Sequence, residues 1–270
     1  MRLIIQLLFF ITLIPHMTYS QESLFKPLTA NIYEPKVGMN FFNDGKLRLD
    51  IGNSIDLFEF SITDSIKPRI GGEFFIFTLL RKDANFKFPV ETEDFYFGIN
   101  STSTIGYLSA NRISARFRLA HISSHLIDGY TTGGKFKKPF YVYSREFIDL
   151  CFAIEIGNCR VYAGSTILYH SIPDDFSTII PEIGFDYNFP LTRNIFLKAA
   201  SDLRYASLNA NILDSSNTSF SSNSELGMYF KFYKENGIYL YFNYYYGRSY
   251  FGEFFNEGRK NTAIGFRVMF

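Results

Sequence analysis

The 270-residue chain has a formal net charge of +1 and is 19% aromatic, with 32 Phe, 19 Tyr and no Trp. That charge balance gives no reason to expect a nucleic-acid partner, because phosphate binding needs a concentrated basic face. The two cysteines, Cys151 and Cys159, are too few for a disulfide-built fold. No long uncharged apolar run follows the N-terminus, which excludes a bundle of membrane-spanning helices. A chain this rich in aromatic residues and with so little net charge suits a barrel whose outer wall meets lipid.

The N-terminus has the pattern of a secretory signal peptide. Arg2 precedes the apolar run 3–14, and the small residues Thr18 and Ser20 follow it. We predict a cleaved signal peptide over 1–20, which also removes His16, then a periplasmic N-terminal segment over 21–45 and an outer-membrane β-barrel over 46–270.

Period-two alternation dominates the remaining chain and predicts an all-β fold. Segments of roughly 10 residues recur, and their connections alternate between short and long, as in an antiparallel transmembrane β-barrel. We predict about 12 strands, with both ends on the periplasmic side of the bacterial outer membrane and the long loops outside. The predicted strands are 46–52, 55–62, 68–80, 93–101, 110–124, 140–155, 159–170, 181–189, 194–206, 223–233, 237–248 and 260–270. Insertion would use the barrel-assembly machinery, and the sequence leaves the oligomeric state open.

The arginines of the strand 110–124 all lie on one face, and their position indicates which face points inward. The arginines of this strand, Arg112, Arg116 and Arg118, all have even residue numbers. An arginine facing lipid near the midplane costs roughly 2–4 kcal/mol, so the row of even-numbered side chains should face the lumen. The odd row, with His121 and Ser123, then faces outward near the outer rim. We expect the inward side chains of this strand and the next to form a salt-bridge network that narrows the lumen: Arg112, Arg116, Arg118, Arg145 and Asp149.

Glu146 interrupts the apolar outward row of the following strand. If the connecting loop closes symmetrically around Gly134 and Lys135, Glu146 lies opposite Ser123 and diagonal to His121, within side-chain reach. Ser123 would then be the nucleophile, His121 its base and Glu146 the carboxylate that orients the imidazole. At this depth the reaction would be hydrolysis of lipid acyl esters in the outer leaflet.

Other interpretations of the same residues stay open. A His-x-Ser triplet arises readily by chance, so these side chains can equally mark the polar rim of a non-enzymatic structural barrel or narrow pore. His125 and Asp128 with Glu146 are compatible with a divalent ion such as calcium, although no residue pattern requires a cofactor. His170 is placed at another part of the outer rim. The register that we favour sends Cys151 and Cys159 to opposite faces, which argues against a disulfide.

Several motifs occur in order along residues 70 to 270: RFRLAHISSHLIDGY, YSREFIDL, CRVYAGSTILYHSIPD, IPEIGFDY and YYYGRSYFGEFF. Together they resemble an uncharacterised family of bacterial outer-membrane barrels, a domain of unknown function with an R-x-x-H-x-S-S-H-L-x-D run. The resemblance implies a fold and a location but no activity.

His121, Ser123 and Glu146 also resemble the active-site pattern of the outer-membrane phospholipase A and lipid A deacylase barrels. Those barrels carry an outward His-x-Ser on one strand and an Asn or Glu on the next, which implies a serine-dependent lipid hydrolase. The loop to Glu146 is longer here, the expected Asn is missing after the serine, and no oxyanion-hole donor can be assigned.

Overall fold

The computed structural model describes residues 23–63, 66–174, 176–207 and 219–270, so the expected signal peptide over 1–20 lies outside the described residues. Within these ranges the regular elements are β-strands joined by turns and three short 3-10 turns. Among the described residues, no helix is long and apolar enough to cross a membrane. The strands are β1 (Val37–Phe42), β2 (Lys46–Glu59), β3 (Arg69–Arg81), β4 (Val90–Leu108), β5 (Asn111–Leu126), β6 (Thr131–Thr132), β7 (Lys135–Phe136), β8 (Tyr143–Ile156), β9 (Cys159–Ile172), β10 (Ile179–Pro190), β11 (Ile195–Tyr205), β12 (Phe220–Tyr233), β13 (Asn236–Arg248) and β14 (Gly258–Met269).

Twelve strands of the described chain close into one antiparallel barrel, and β6 and β7 form a separate two-residue ladder inside a loop. Closure is made by β1 pairing with β14, with Val37 opposite Val268. The predicted barrel of 12 strands is confirmed, but its first strands differ from the expectation. The two segments expected at 46–52 and 55–62 form the single strand β2, and β1 lies inside the segment 21–45 that was expected to precede the barrel.

Side chains alternate between the lumen and the outer wall as the arginine parity predicts. On β5, Arg116 and Arg118 are 4% and 3% exposed, whereas Phe117 between them is 38% exposed. The outward rows of the other strands carry large exposed apolar side chains, up to 70% exposed at Ile264. A wall this apolar on its outside and this charged on its inside has the polarity of a barrel surrounded by hydrocarbon.

The lumen is occupied by the N-terminal segment, residues 23–36. Leu28 and Asn31 of this segment are completely buried. Its backbone and side chains bond to inward residues of several strands: the Thr29 amide donates to Asp186 at 3.0 Å, and the Asn31 amide group donates to Glu182 at 3.2 Å. A segment that we expected to precede the wall therefore runs through the barrel.

Glu34 of this segment lies between two arginines of β5. Arg116 Nη2 is 2.7 Å from Glu34 Oε1, and Arg118 Nη2 is 2.8 Å from Glu34 Oε2. The expected lumen network therefore exists, since Arg116 and Arg118 also approach Asp149 at 3.8 and 4.0 Å, but its central carboxylate comes from outside the strands.

The other expected members of the network differ in their partners. Arg112 pairs with Glu155 at 2.5 Å. Arg145 has no carboxylate within 4 Å among the described residues, and its guanidinium carbon lies 3.4 Å from the centroid of the Phe176 ring.

The loop 249–257 folds into the barrel at the end that carries the long connections. Phe251 and Phe255 are buried there, 0% and 2% exposed. The Gly252 amide donates to Asp94 Oδ1 at 2.8 Å, and the Glu253 amide donates to Ser124 Oγ at 3.1 Å. This loop and the N-terminal segment therefore both occupy part of the lumen and narrow it.

Candidate functional site

One outward row crosses four neighbouring strands near the long-loop end of the barrel. The strand registers place its members side by side: Phe97 of β4, His121 of β5, Glu146 of β8 and His170 of β9. Adjacent strands lie about 4.7–4.9 Å apart, so each side chain can touch the next one along this row.

His121 and Glu146 form a direct contact. His121 Nδ1 lies 2.6 Å from Glu146 Oε1, and both side chains are 25% exposed. On its other side the imidazole ring faces Phe97, with ring centroids 4.8 Å apart. Because Nδ1 is used by the carboxylate, Nε2 is the nitrogen left to accept a proton.

Ser123 lies two residues beyond His121 on the same outward face of β5 and is half-buried. In the described structure its hydroxyl makes no hydrogen bond to His121, so the nucleophile–base contact of a triad is not formed. Such contacts are often long without substrate and tighten in the complex, so this geometry is compatible with catalysis.

The register between β5 and β8 differs from the predicted one by two residues. Glu146 lies opposite His121, and Ser123 lies opposite Ser144, whereas we expected Glu146 opposite Ser123. The reason is the turn: Thr132 pairs with Lys135, so the connection closes around Gly133 and Gly134, both with positive φ. Such φ values are typical of a two-residue type I′ turn, and the wall strands continue the register that it sets.

Two further polar side chains belong to the site. Ser144 Oγ donates to Glu146 Oε1 at 3.2 Å, and His170 Nδ1 contacts Glu146 Oε2. Ser144 was not among the residues predicted for the site, and His170 was expected elsewhere on the rim. The signal for Ser144 was available, since it shares the outward row of Glu146 two residues earlier.

The remaining candidates lie apart from this cluster. His125 is exposed, with its ring centroid 6.1 Å from that of Phe95. Asp128 lies in a 3-10 turn of the loop after β5. In the part of the chain that the structure describes, no group of three or more His, Cys, Asp or Glu side chains has a metal-binding arrangement. Cys151 and Cys159 are both free thiols.

Fold and cluster together define a closed twelve-stranded antiparallel barrel of the outer-membrane type with a histidine–carboxylate cluster on its outer wall. The chain belongs to the family described as "Protein of unknown function (DUF1207)", whose model matches residues 12–270. No curated protein matches the sequence.

Solved structures with a similar fold include outer membrane phospholipases. An active-site mutant of outer membrane phospholipase A from Escherichia coli matches with a TM-score of 0.59 and 11% identity, covering 93% of this chain and 94% of that one. The Salmonella typhi outer membrane phospholipase, a dimer with bound calcium, matches with a TM-score of 0.58 and 12% identity, covering 92% and 94%. At this identity the likeness shows the fold alone.

Proposed function

We propose that the protein is a serine hydrolase of lipid acyl esters, placed in the bacterial outer membrane with its site at the level of the outer leaflet. The observation that carries the proposal is the 2.6 Å contact between His121 Nδ1 and Glu146 Oε1 on the outer wall. A carboxylate at this nitrogen holds the tautomer whose Nε2 can act as a base, and it stabilises the imidazolium that forms during the reaction.

The position of the cluster selects the substrate class. His121 and Glu146 continue outward rows whose other members are apolar and exposed, such as Phe117 and Leu119 at 38% each. A soluble substrate would have to reach these groups through the surrounding membrane, whereas a lipid already lies against them. The phospholipases with the same fold support an acyl ester as the bond that is cleaved.

The proposed reaction has two steps, acylation of the serine and hydrolysis of the acyl-serine. Ser123 Oγ attacks the ester carbonyl carbon and gives its proton to His121 Nε2; the bond to the leaving alcohol breaks, and that alcohol takes the proton from His121. Water then attacks the acyl-serine in the same way, which releases the fatty acid and restores Ser123. Glu146 keeps its negative charge throughout.

Fatty-acid release from vesicles that contain the reconstituted protein tests the proposal, with phospholipid and lipid A offered separately as substrates. Ser123→Ala should reduce release to background, and His121→Ala should lower it by at least about 100-fold because the general base is lost. Ser101→Ala is a matched control, because Ser101 is a half-buried outward serine on the adjacent strand β4, outside the cluster.

Two results would overturn the assignment. Ser123→Ala at the rate of the Ser101→Ala control would remove Ser123 as nucleophile. Loss of release in Ser144→Ala with full release in Ser123→Ala would transfer that role to Ser144, which faces it across the strand pair. Heat-modifiable migration on gels confirms that each variant is a folded barrel.

A further inference from the structure

His170 is the second histidine on the carboxylate of Glu146. His121 Nδ1 contacts Oε1, and His170 Nδ1 contacts the other oxygen, Oε2. The two imidazoles approach from opposite sides, because β8 lies between β5 and β9 in the barrel. Both oxygens are therefore engaged, and the carboxylate cannot rotate without breaking a contact to one of the histidines.

His170 reaches this position through a local irregularity in β9. The ladder between β8 and β9 shifts between Glu146 and Phe147: Phe147 pairs with Leu168, and Glu146 pairs with His170. Tyr169 is the extra residue, and it is 59% exposed. A bulge of this kind re-aims the side chains that follow it, and here it places His170 on the outward face beside Glu146.

His170 lies too far from Ser123 to act on it directly. They sit on β9 and β5, with β8 between them, and two strand spacings amount to roughly 10 Å. Its 56% exposed side chain has a single carboxylate partner among the described residues, Glu146. Any effect of His170 on the reaction must pass through that carboxylate.

We infer that His170 is a positioning residue, which fixes the carboxylate of Glu146 so that Oε1 stays on His121 Nδ1. The inference rests on the proposed hydrolase function. A neutral His170 that donates its Nδ1 proton to Oε2 leaves the negative charge of Glu146 in place for the imidazolium of His121. Without this second donor, Glu146 keeps only Ser144 and His121 itself as partners within the described part of the chain.

The test compares His170→Ala with His170→Asn, because an asparagine amide can place a donor near the position of the imidazole Nδ1. We expect His170→Ala to lower kcat about tenfold with little change in KM, since a misplaced catalytic group slows the chemical step. His170→Asn should recover most of the loss. His125→Ala is the matched control, a histidine on the same rim that does not contact Glu146.

A double-mutant cycle separates action through Glu146 from an independent effect. In a Glu146→Ala background, adding His170→Ala should change kcat by less than about twofold, because the group it positions is gone. If the double variant instead loses kcat by the product of the two single decreases, the inference is overturned. An unchanged kcat in His170→Ala, or a failure of His170→Asn to recover activity, would also overturn it.

The tautomer of His121 gives a readout that needs no turnover, so failure of the proposed function and failure of this inference are distinguishable. In micelles, ¹⁵N-histidine NMR of the wild type should show His121 protonated at Nδ1, and His170→Ala should mix the two tautomers. No Ser123-dependent fatty-acid release in the wild type would sink the proposed function alone. A His121 spectrum identical in wild type and His170→Ala would sink the inference alone.

Discussion

Replacing Glu34 with glutamine removes the central negative charge of the lumen while keeping the shape of the side chain. Glu34 lies in the segment 23–36, outside the strands, and is 2% exposed. Burial would raise its pKa, but the guanidinium groups of Arg116 and Arg118 outweigh burial and lower the pKa of Glu34 from 4.5 to about 2. The carboxylate is therefore ionised at neutral pH and is held by two buried cations.

The size of the expected effect follows from that pKa. A decrease from 4.5 to about 2 corresponds to about 3 kcal/mol of folding free energy. Removing one partner of a buried ion pair costs about 3–5 kcal/mol, which agrees. The lower end of this range applies, because each arginine keeps another carboxylate after the substitution. Arg118 lies 3.1 Å from Glu73, and Arg116 lies 3.8 Å from Asp149. We expect Glu34→Gln to lower the free energy of unfolding by about 3 kcal/mol at pH 7.

Urea unfolding of the refolded protein, followed by far-UV circular dichroism, measures this loss. The matched control is Glu59→Gln, because Glu59 contacts Arg69 at 2.8 Å but is 44% exposed. An exposed pair contributes about 0–1 kcal/mol. Because the folded pKa of Glu34 lies below its ordinary value, its contribution is complete above pH 4.5 and disappears as the pH falls toward 2. Equal losses in the two variants, or a difference independent of pH, would refute the reasoning.

Cys151 reports whether the segment itself leaves the lumen. Its side chain is completely buried in one cluster with Phe25 and Leu28 of the segment. In a Cys159→Ser background, a water-soluble maleimide should label Cys151 faster in Glu34→Gln than in Glu59→Gln before the barrel unfolds. Equal labelling would mean that the other contacts hold the segment in place.

Three more substitutions test the packing inside the lumen. Arg118→Met should cost about 3–5 kcal/mol of unfolding free energy, because it leaves the buried carboxylate of Glu73 without its cation and leaves Glu34 with Arg116 alone. Arg145→Met leaves no carboxylate without a partner and should cost about 2 kcal/mol, the contribution of a desolvated contact between a cation and a ring. Urea unfolding decides between them, and the reverse order would contradict the partner assignment. Gly252→Ala should loosen the inward loop 249–257, because a Cβ there would lie 2.4 Å from a ring carbon of Tyr143. Proteinase K should then cleave this loop faster than in the wild type, and unchanged resistance would show that the loop adapts.

The register of the site shows how closely a sequence can approach a contact and still miss it. Symmetry around Gly134 and Lys135 predicts Glu146 opposite Ser123, whereas the turn around Gly133 and Gly134 places it opposite His121. Moving the centre of a hairpin by one residue changes the partner by two. Glu146 still points outward after such a shift, because side-chain direction along a strand has a period of two residues.

His170 could not be assigned to the site for a related reason. The short connection at Gly157 and Asn158, continued regularly, would place Tyr169 opposite Glu146. Only the bulge puts His170 there, and a bulge is decided by the packing of the neighbouring strands rather than by the residues of the hairpin.

The sequence by itself determined the alternation of the strands, the closed all-β architecture and the inward direction of the arginine row. These follow from local periodicity and from the cost of placing charge in hydrocarbon. Only the tertiary structure decided that residues 23–36 occupy the lumen, that Glu34 balances Arg116 and Arg118, and that Glu146 bridges two histidines. Such contacts join positions far apart in the chain or depend on one irregular pairing, and no local pattern encodes the distance between them.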